Sequence, residues 1–236
     1  MISKETANAV SLAQRGFKSG IMKLKGLNTD GTENTFRQCF KKYERMQDAD
    51  FLFGSDCCRI MKKAPAKQFE KETGLKPFVG TMADESPLRK TSWLKRGCNA
   101  FDGARPMSTP LSFWMKQDIL RYVKEYAIEY PSVYGDIVET NGKLHTTGCE
   151  RTGCVWCGFG CHLEKEPNRF QQLAVTHPKL YDYCMRGGKY DENGRWIPDK
   201  GLGMAKVLDY IGVKWWNTDE EHDKYCNFPP NPKQRE

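Results

Sequence analysis

Apolar residues recur along this chain in short runs at helical spacing, separated by glycines, prolines and polar turns. Residues 3–15, Ser-Lys-Glu-Thr-Ala-Asn-Ala-Val-Ser-Leu-Ala-Gln-Arg, read as a helix, and Gly16 and Gly20 break the pattern. The turn-rich stretch 26–35 reads as a loop, and a short helix around 36–46 follows. Phe51-Leu52-Phe53 reads as a brief strand, with Gly54-Ser55-Asp56 as the turn into a helix that begins at Cys57-Cys58. Asp56 is the expected N-cap of that helix and Gly74 its stop, while Pro65 divides it and stands near the start of the second piece. Lys76–Met82 reads as a buried strand running out into a polar loop, 83–89.

The clearest amphipathic helix covers 114–127. Ile119, Leu120, Val123, Tyr126 and Ala127 fall opposite Lys116, Gln117, Arg121 and Glu125, and Pro131 closes the unit. Residues 145–161 form a Gly/Cys-rich loop, and a last helix from about 168 to 184 precedes a Gly-rich connector. The tail from Asn217 is polar, ends in Pro229-Pro230-Asn231-Pro232, and is expected to fray. Short strands alternating with helices point to a helix-rich α/β protein. Such a fold normally opens with strand, Gly-rich loop and helix, whereas this chain opens on a helix.

A chain of 236 residues can bury one substantial core, or form one domain with an appended tail. No stretch approaches the apolar length of a membrane span, and the opening residues lack the pattern of a secretory leader, so a cytoplasmic, soluble protein is expected. The formal charge of +7 is spread through Lys-Lys and Lys-Arg pairs. It favours an anionic partner, either a phosphorylated or sulfated small molecule or a nucleic acid, or else describes a solvated basic surface.

Ten cysteines change the picture. In a reducing cytosol, clustered cysteines serve more often as metal ligands or redox centres than as bridges. Cys57 and Cys58 are adjacent, and consecutive residues hold their Cα atoms too close for an unstrained disulfide. Two neighbouring thiolates can instead enter one polynuclear centre, and the Cys154-Val155-Trp156-Cys157 turn offers two more. A helix N-terminus also stabilises thiolates at Cys57 and Cys58. Cys57, Cys58, Cys154 and Cys157 therefore make a candidate four-thiolate site for an iron–sulfur cluster, with Cys149 and Cys161 as extras. Zinc is the alternative, since the four cysteines between Cys149 and Cys161 could satisfy a tetrahedral ion alone. Buried, unligated thiols are a third reading. Cys39, Cys98, Cys184 and Cys226 read as packing residues, and His177 and His222 show no recognisable partner.

A second candidate site is Glu85-Ser86-Pro87-Leu88-Arg89. After a strand end, it sets a carboxylate, a hydroxyl and a guanidinium where α/β sheets bind ligands, and Arg89 could fork onto phosphate or sulfate. The competing reading is an ordinary surface loop.

Four segments together resemble the phosphoadenosine/adenosine phosphosulfate reductase family. Cys57-Cys58-Arg59-Ile60-Met61-Lys62-Lys63-Ala64-Pro65 is similar to the paired-cysteine, basic, proline segment of its iron–sulfur members. Gly80-Thr81-Met82-Ala83-Asp84-Glu85-Ser86-Pro87-Leu88-Arg89 is similar to the loop Gly-x-Arg-x-Asp-Gln-Ser-x-x-Arg that contacts the sulfonucleotide. Pro110-Leu111-Ser112-Phe113-Trp114, with Asp118 and Tyr122, resembles the Pro-Leu-x-x-Trp-x-x-x-Asp-x-x-x-Tyr helix. Thr152-Gly153-Cys154-x-x-Cys157 resembles the loop that closes the cluster. The likeness covers roughly 1–185, leaving 186–236 as a partly irregular C-terminal extension.

The resemblance implies a partial Rossmann-like fold of the adenine nucleotide alpha hydrolase (PP-loop) type. It also implies a [4Fe–4S] cluster on Cys57, Cys58, Cys154 and Cys157, and an adenosine phosphosulfate-type nucleotide held near Glu85, Ser86 and Arg89. A thioredoxin-like reductant would be the partner in sulfur metabolism. The chain departs from the family at three points. No Ser-Gly-Gly-x-Asp-Ser phosphate loop precedes Cys57, so the sequence reads as the cluster-bearing C-terminal portion, which another chain could complete. Met82 stands where the family loop has arginine. The Glu-Cys-Gly-x-His nucleophile motif is missing, and Lys224-Tyr225-Cys226-Asn227-Phe228 does not match it. A related alternative is ATP-dependent sulfur transfer to tRNA or DNA, with Cys149 and Cys161 carrying persulfide.

Overall fold

The computed structural model describes residues 4–34, 41–103, 105–150 and 152–233. Nine α-helices and six short strands follow one another among these residues. In chain order they are α1 (Lys4–Gln14), α2 (Lys18–Leu24), α3 (Ala64–Thr73), α4 (Pro87–Arg96), β1 (Asn99–Ala100), β2 (Met107–Ser108), α5 (Lys116–Glu125), β3 (Ile137–Thr140) and β4 (Lys143–Thr146). Then come α6 (Arg169–Thr176), α7 (Pro178–Met185), β5 (Lys189–Tyr190), β6 (Trp196–Ile197), α8 (Met204–Tyr210) and α9 (Asp219–Cys226). The fold is mixed α/β and helix-rich. Its named strands form three antiparallel pairs, and single parallel bridges join Phe51 to Trp196 and Phe78 to Ser108. No helix among the described residues is long and apolar enough to cross a membrane.

Packing divides the chain into two compact units, one of residues 1–59 with 154–236 and the other of 60–153. This division rests on packing, whereas the boundary after 185 rests on resemblance.

The first unit holds two apolar clusters. In one, Ala7, Ala9, Val10 and Ala13 of α1 pack with Leu24, Met46, Phe51, Phe53 and Trp196. In the other, Phe170, Tyr181, Cys184, Met185, Leu208 and Trp215 come together around α6, α7 and α8. Gly16 ends α1 with φ 79°, as expected. Gly20 does not break the chain but lies inside α2. A Cβ there would fall 2.5 Å from Ala13 N and 2.7 Å from Ala9 O, so the missing side chain lets α2 lie directly on α1. The expected helix over 168–184 is two helices, because Pro178 supplies no N–H and drives His177 out of the helical region (φ −141°, ψ 66°).

The segment after 186 is more ordered than its glycines and polar residues imply. Trp196 N donates to Asp50 O at 2.5 Å. Lys206 Nζ reaches Asp50 Oδ2 at 3.1 Å and Tyr190 Oη at 2.8 Å, beneath the rings of Tyr190, Trp196 and Phe228. The expected frayed tail forms α9, capped by Thr218, and Asn231 is buried with its Nδ2 donating to Gly194 O at 3.2 Å.

The helix opened by Cys57 and Cys58 at the end of the first unit's N-terminal segment winds wider over Arg59–Lys63 and resumes in the second unit as α3, with Pro65 in its first turn. The π-type turn accommodates a proline that would otherwise leave a carbonyl unpaired and clash with it. Asp56 binds the Arg59 guanidinium at 2.9 Å. Gly74 closes α3 at φ 72°. The expected buried strand over 76–82 is a single parallel bridge, and Phe78 is 81% exposed. α5 buries Leu120 but leaves Tyr122 and Tyr126 at the surface. The β3–β4 hairpin turns at Asn141-Gly142, both at positive φ. Gln117 pins α5 to it, its amide pairing with both the N–H (2.9 Å) and the carbonyl (2.8 Å) of Leu144. The expected short helix around 36–46 is described only from Lys41, where a 3₁₀ helix runs to Asp48.

Candidate functional site

Helix α1 positions one side of the cysteine centre from both its ends. At its C-terminus, the Gln14 amide donates to Phe51 O (2.8 Å) and accepts from Phe53 N (3.0 Å), fixing the segment that leads to Cys57, where the expected strand is a single bridge at Phe51. At its N-terminus, Lys4 Nζ donates to Cys58 Sγ at 2.8 Å. That bond, with the fields of Cys58, Cys57 and Cys157, holds the Lys4 ammonium above its ordinary pKa. Burial pushes the Cys57 thiol up, and the like-charged thiolates of Cys58 and Cys157 add to it. Cys57, Cys58 and Cys157 thus lie within electrostatic range of one another and share one lysine.

The other side is a tight turn. Cys157 N donates to Cys154 O at 3.0 Å, and the turn is anchored by Trp156 Nε1 on Leu180 O (3.2 Å) and by Arg169 Nη1 on Cys157 O (2.8 Å). Arg169 is itself oriented by Glu164, which raises its pKa. Cys154 is exposed and is tied to Cys157 by this turn. No three of the sulfurs of Cys57, Cys58, Cys154 and Cys157 lie within 4.8 Å of one another. A single tetrahedral zinc with bonds of about 2.3 Å would hold its sulfurs at roughly 3.8 Å. Soft thiolates suit both zinc and iron–sulfur centres, and the thiols of Cys57 and Cys58 lie within hydrogen-bond reach of each other.

The remaining cysteines separate by environment. Cys161 is buried, donates to Gly158 O at 3.0 Å, and burial raises its thiol pKa. Cys184 is fully buried and pushed up to about 12. Cys149 is half-buried in the second unit, and Cys39 lies outside the described residues.

The segment 83–89 is not an open loop. Ala83–Glu85 form a 3₁₀ turn, and Ser86 caps α4 by accepting from Arg89 N at 3.3 Å. Glu85 and Arg89, one helical turn apart, form an ion pair. Glu85, Ser86 and Arg89 do meet at one cleft of about 570 Å³, bounded also by Lys116, Glu150 and the Tyr134–Thr152 hydrogen bond. Asp84, Glu85 and Glu150 set three carboxylates against the two cations Arg89 and Lys116, and Lys116 Nζ lies 3.5 Å from Glu150. The chain's positive charge is not concentrated here, and an anion entering the cleft must take the place of a carboxylate.

Three groupings escape a reading of the sequence. Lys4 and Gln14 carry no local signal of their roles. His222 and Cys226, without partners in the linear chain, both turn onto Asp209 Oδ2, at 3.1 and 3.0 Å. Their i, i+4 spacing on α9 is the signal that could have paired them. Burial, together with this contact, pushes the Cys226 thiol up to about 12 and leaves it unsuited to act as a nucleophile.

Searches among curated proteins and among solved structures return no match. Residues 4–158 match the family model of the phosphoadenosine phosphosulfate reductase domain. That span contains the paired cysteines, the Glu85–Arg89 cap, α5 and the Cys154–Cys157 turn in sequence order, and the chain belongs to the phosphoadenosine phosphosulfate reductase family.

Proposed function

We propose that this protein carries a [4Fe–4S] cluster on Cys57, Cys58, Cys154 and Cys157 and acts on an adenosine phosphosulfate-type nucleotide in cytoplasmic sulfur metabolism. The observation that carries the cluster reading is the gathering of Cys57, Cys58 and Cys157 about the Lys4 ammonium, from segments about a hundred residues apart. When bound, the cluster would supply fixed charge and a cross-link between the two segments.

The nucleotide's anionic groups would exchange with Glu85 on the Arg89 guanidinium, whose planar fork suits sulfate or phosphate oxygens. In the reductive reading, two thiols of a thioredoxin-type partner supply two electrons and become a disulfide. The sulfate sulfur then leaves as sulfite and the nucleoside phosphate is released. Cys226 takes no part, because its proton is held on the Asp209 carboxylate.

Anaerobic purification followed by iron and sulfide analysis tests the cluster. About four of each per chain are expected for the wild type, with loss of both in Cys58→Ala. Zinc without sulfide would replace this reading with a structural metal site. Sulfite release from adenosine phosphosulfate, with thioredoxin supplied, tests the reaction, and its absence from cluster-loaded protein would remove the reductase assignment.

A further inference from the structure

Asp209 at the end of α8 and His222 and Cys226 on α9 bring three different donor types to one point. The Asp209, His222 and Cys226 ligand atoms all lie within 4.8 Å of one another. His222 Nε2 is 3.1 Å and Cys226 Sγ 3.0 Å from the same carboxylate oxygen, Oδ2. A tetrahedral zinc ion with bonds of about 2.0–2.3 Å spaces its ligand atoms by roughly 3.3–3.8 Å. Widening the two contacts on Oδ2 by a few tenths of an ångström would bring them to that spacing.

The groups behind these donors are also set. Trp215 is fully buried and its Nε1 donates to Asp209 Oδ1 at 2.7 Å, which orients the carboxylate and leaves Oδ2 facing the cluster. The His222 ring lies against Trp216 and Trp215, with centroids 4.2 and 5.6 Å away. Its other nitrogen, Nδ1, faces Asp223 Oδ1 at 3.7 Å. Carboxylates or carbonyls behind a histidine and donors behind a carboxylate are what orient metal ligands. All three donors are half-buried, so an ion can reach them.

We infer that Asp209, His222 and Cys226 form a zinc-binding site that shares no ligand with the four-cysteine centre and ties α9 to α8. A carboxylate, an imidazole and a thiolate suit zinc, and one carboxylate and one thiolate balance a divalent charge. Binding replaces the hydrogen bonds on Oδ2 by metal bonds and releases the thiol proton. Three protein ligands leave the fourth position to water or to a small exogenous ligand.

The test uses the full chain with Cys57, Cys58, Cys154 and Cys157 all replaced by serine, titrated with Zn²⁺ and with Co²⁺ as its spectroscopic substitute. One ion per chain is expected, with a thiolate-to-cobalt charge-transfer band that Cys226→Ser abolishes. His222→Asn should weaken zinc binding by more than about 100-fold, since even groups behind the ligands are worth 10–100-fold. No stoichiometric binding by a chain whose circular dichroism matches the wild type would overturn the inference, as would a band that survives Cys226→Ser. Should the four-serine chain not fold, zinc content decides in the otherwise unaltered protein. One equivalent must be lost on Cys226→Ser or His222→Asn, and equal zinc in all three proteins refutes the site.

Discussion

Replacing Gly20 by alanine puts the α1–α2 contact to a quantitative test. The added Cβ would meet Ala13 N at 2.5 Å, Leu12 Cβ at 2.6 Å and Ala9 O at 2.7 Å. Ordinary carbon contacts lie at about 3.5–4.0 Å, so each is short by roughly 1 Å. Two of the three blocking atoms are main chain and cannot rotate aside, so α2 must lift off α1. Overpacking of this kind costs about 1–3 kcal/mol, and the backbone obstruction puts this site at the upper end. Alanine's better helix propensity returns about 1 kcal/mol, leaving a net loss of about 2 kcal/mol. For a chain of this length, that lowers the melting midpoint by about 4–8 °C. Because α1 also carries Lys4, the displacement should lengthen the 2.8 Å contact to Cys58 and reduce iron retention in the same variant. Thermal melts followed by far-ultraviolet circular dichroism give the answer, with Gly54→Ala as the control. A Cβ at Gly54 meets nothing within 4 Å and should leave the midpoint nearly unchanged. A Gly20→Ala protein as stable as the wild type would refute the close-approach explanation.

The buried Cys184 thiol gives a pH signature. Its folded pKa of about 12 lies above the ordinary 9.0, so the unfolded state loses this proton first and stability falls as pH rises from 9 towards 12. The slope should approach 1.4 kcal/mol per pH unit, and urea midpoints of Cys184→Ala should lack that part of it; an identical slope would rule the residue out. At the cleft, Glu85→Gln should tighten binding of an adenosine phosphosulfate-type nucleotide in calorimetric titration, because the competing carboxylate is gone, while Arg89→Ala should weaken it. Weaker binding in Glu85→Gln would mean that Glu85 contacts the ligand itself.

Local rules in the sequence were sufficient where the cause is local. Gly16 and Gly74 end helices, Pro65 opens α3, and the alternation in α5 finds Leu120. Asn141-Gly142, flanked by Val138 and Leu144, is a hairpin signal of the same kind, although it lies in a stretch dominated by the cysteines that follow. Gly20 shows where locality fails. A glycine that breaks a helix and a glycine that lets two helices touch are the same letter, and only the position of Ala9 and Ala13 distinguishes them. The order of the C-terminal segment is likewise set from a distance. Asp50 and Phe51 hold Trp196 from nearly 150 residues away in the chain, and nothing near Trp196 announces it. The paired cysteines and the Cys154-x-x-Cys157 spacing were legible as a candidate site because both are local patterns. Lys4 was not, because its role comes only from where α1 is laid down.

Charge at the two candidate sites follows the same distinction between composition and placement. A formal +7 suggests a surface ready for anions, yet the Glu85–Arg89 cleft holds three carboxylates and two cations, and both cations are engaged. On the proposed function, a nucleotide would have to compete with these carboxylates, and its affinity would be the difference between two ion pairs. A competitor with fewer charges would gain little from that exchange, so the pair favours multiply charged ligands over singly charged ones. The cysteines show the complementary case, with thiols clustered near the exposed Lys4 ammonium and with Arg169 beside Cys157. Burial and the neighbouring thiolates of Cys58 and Cys157 make deprotonating Cys57 costly, a cost that the proposed metal centre would remove. Binding at each site is thus an exchange of counter-charges, and the protein's total charge is a poor guide to either.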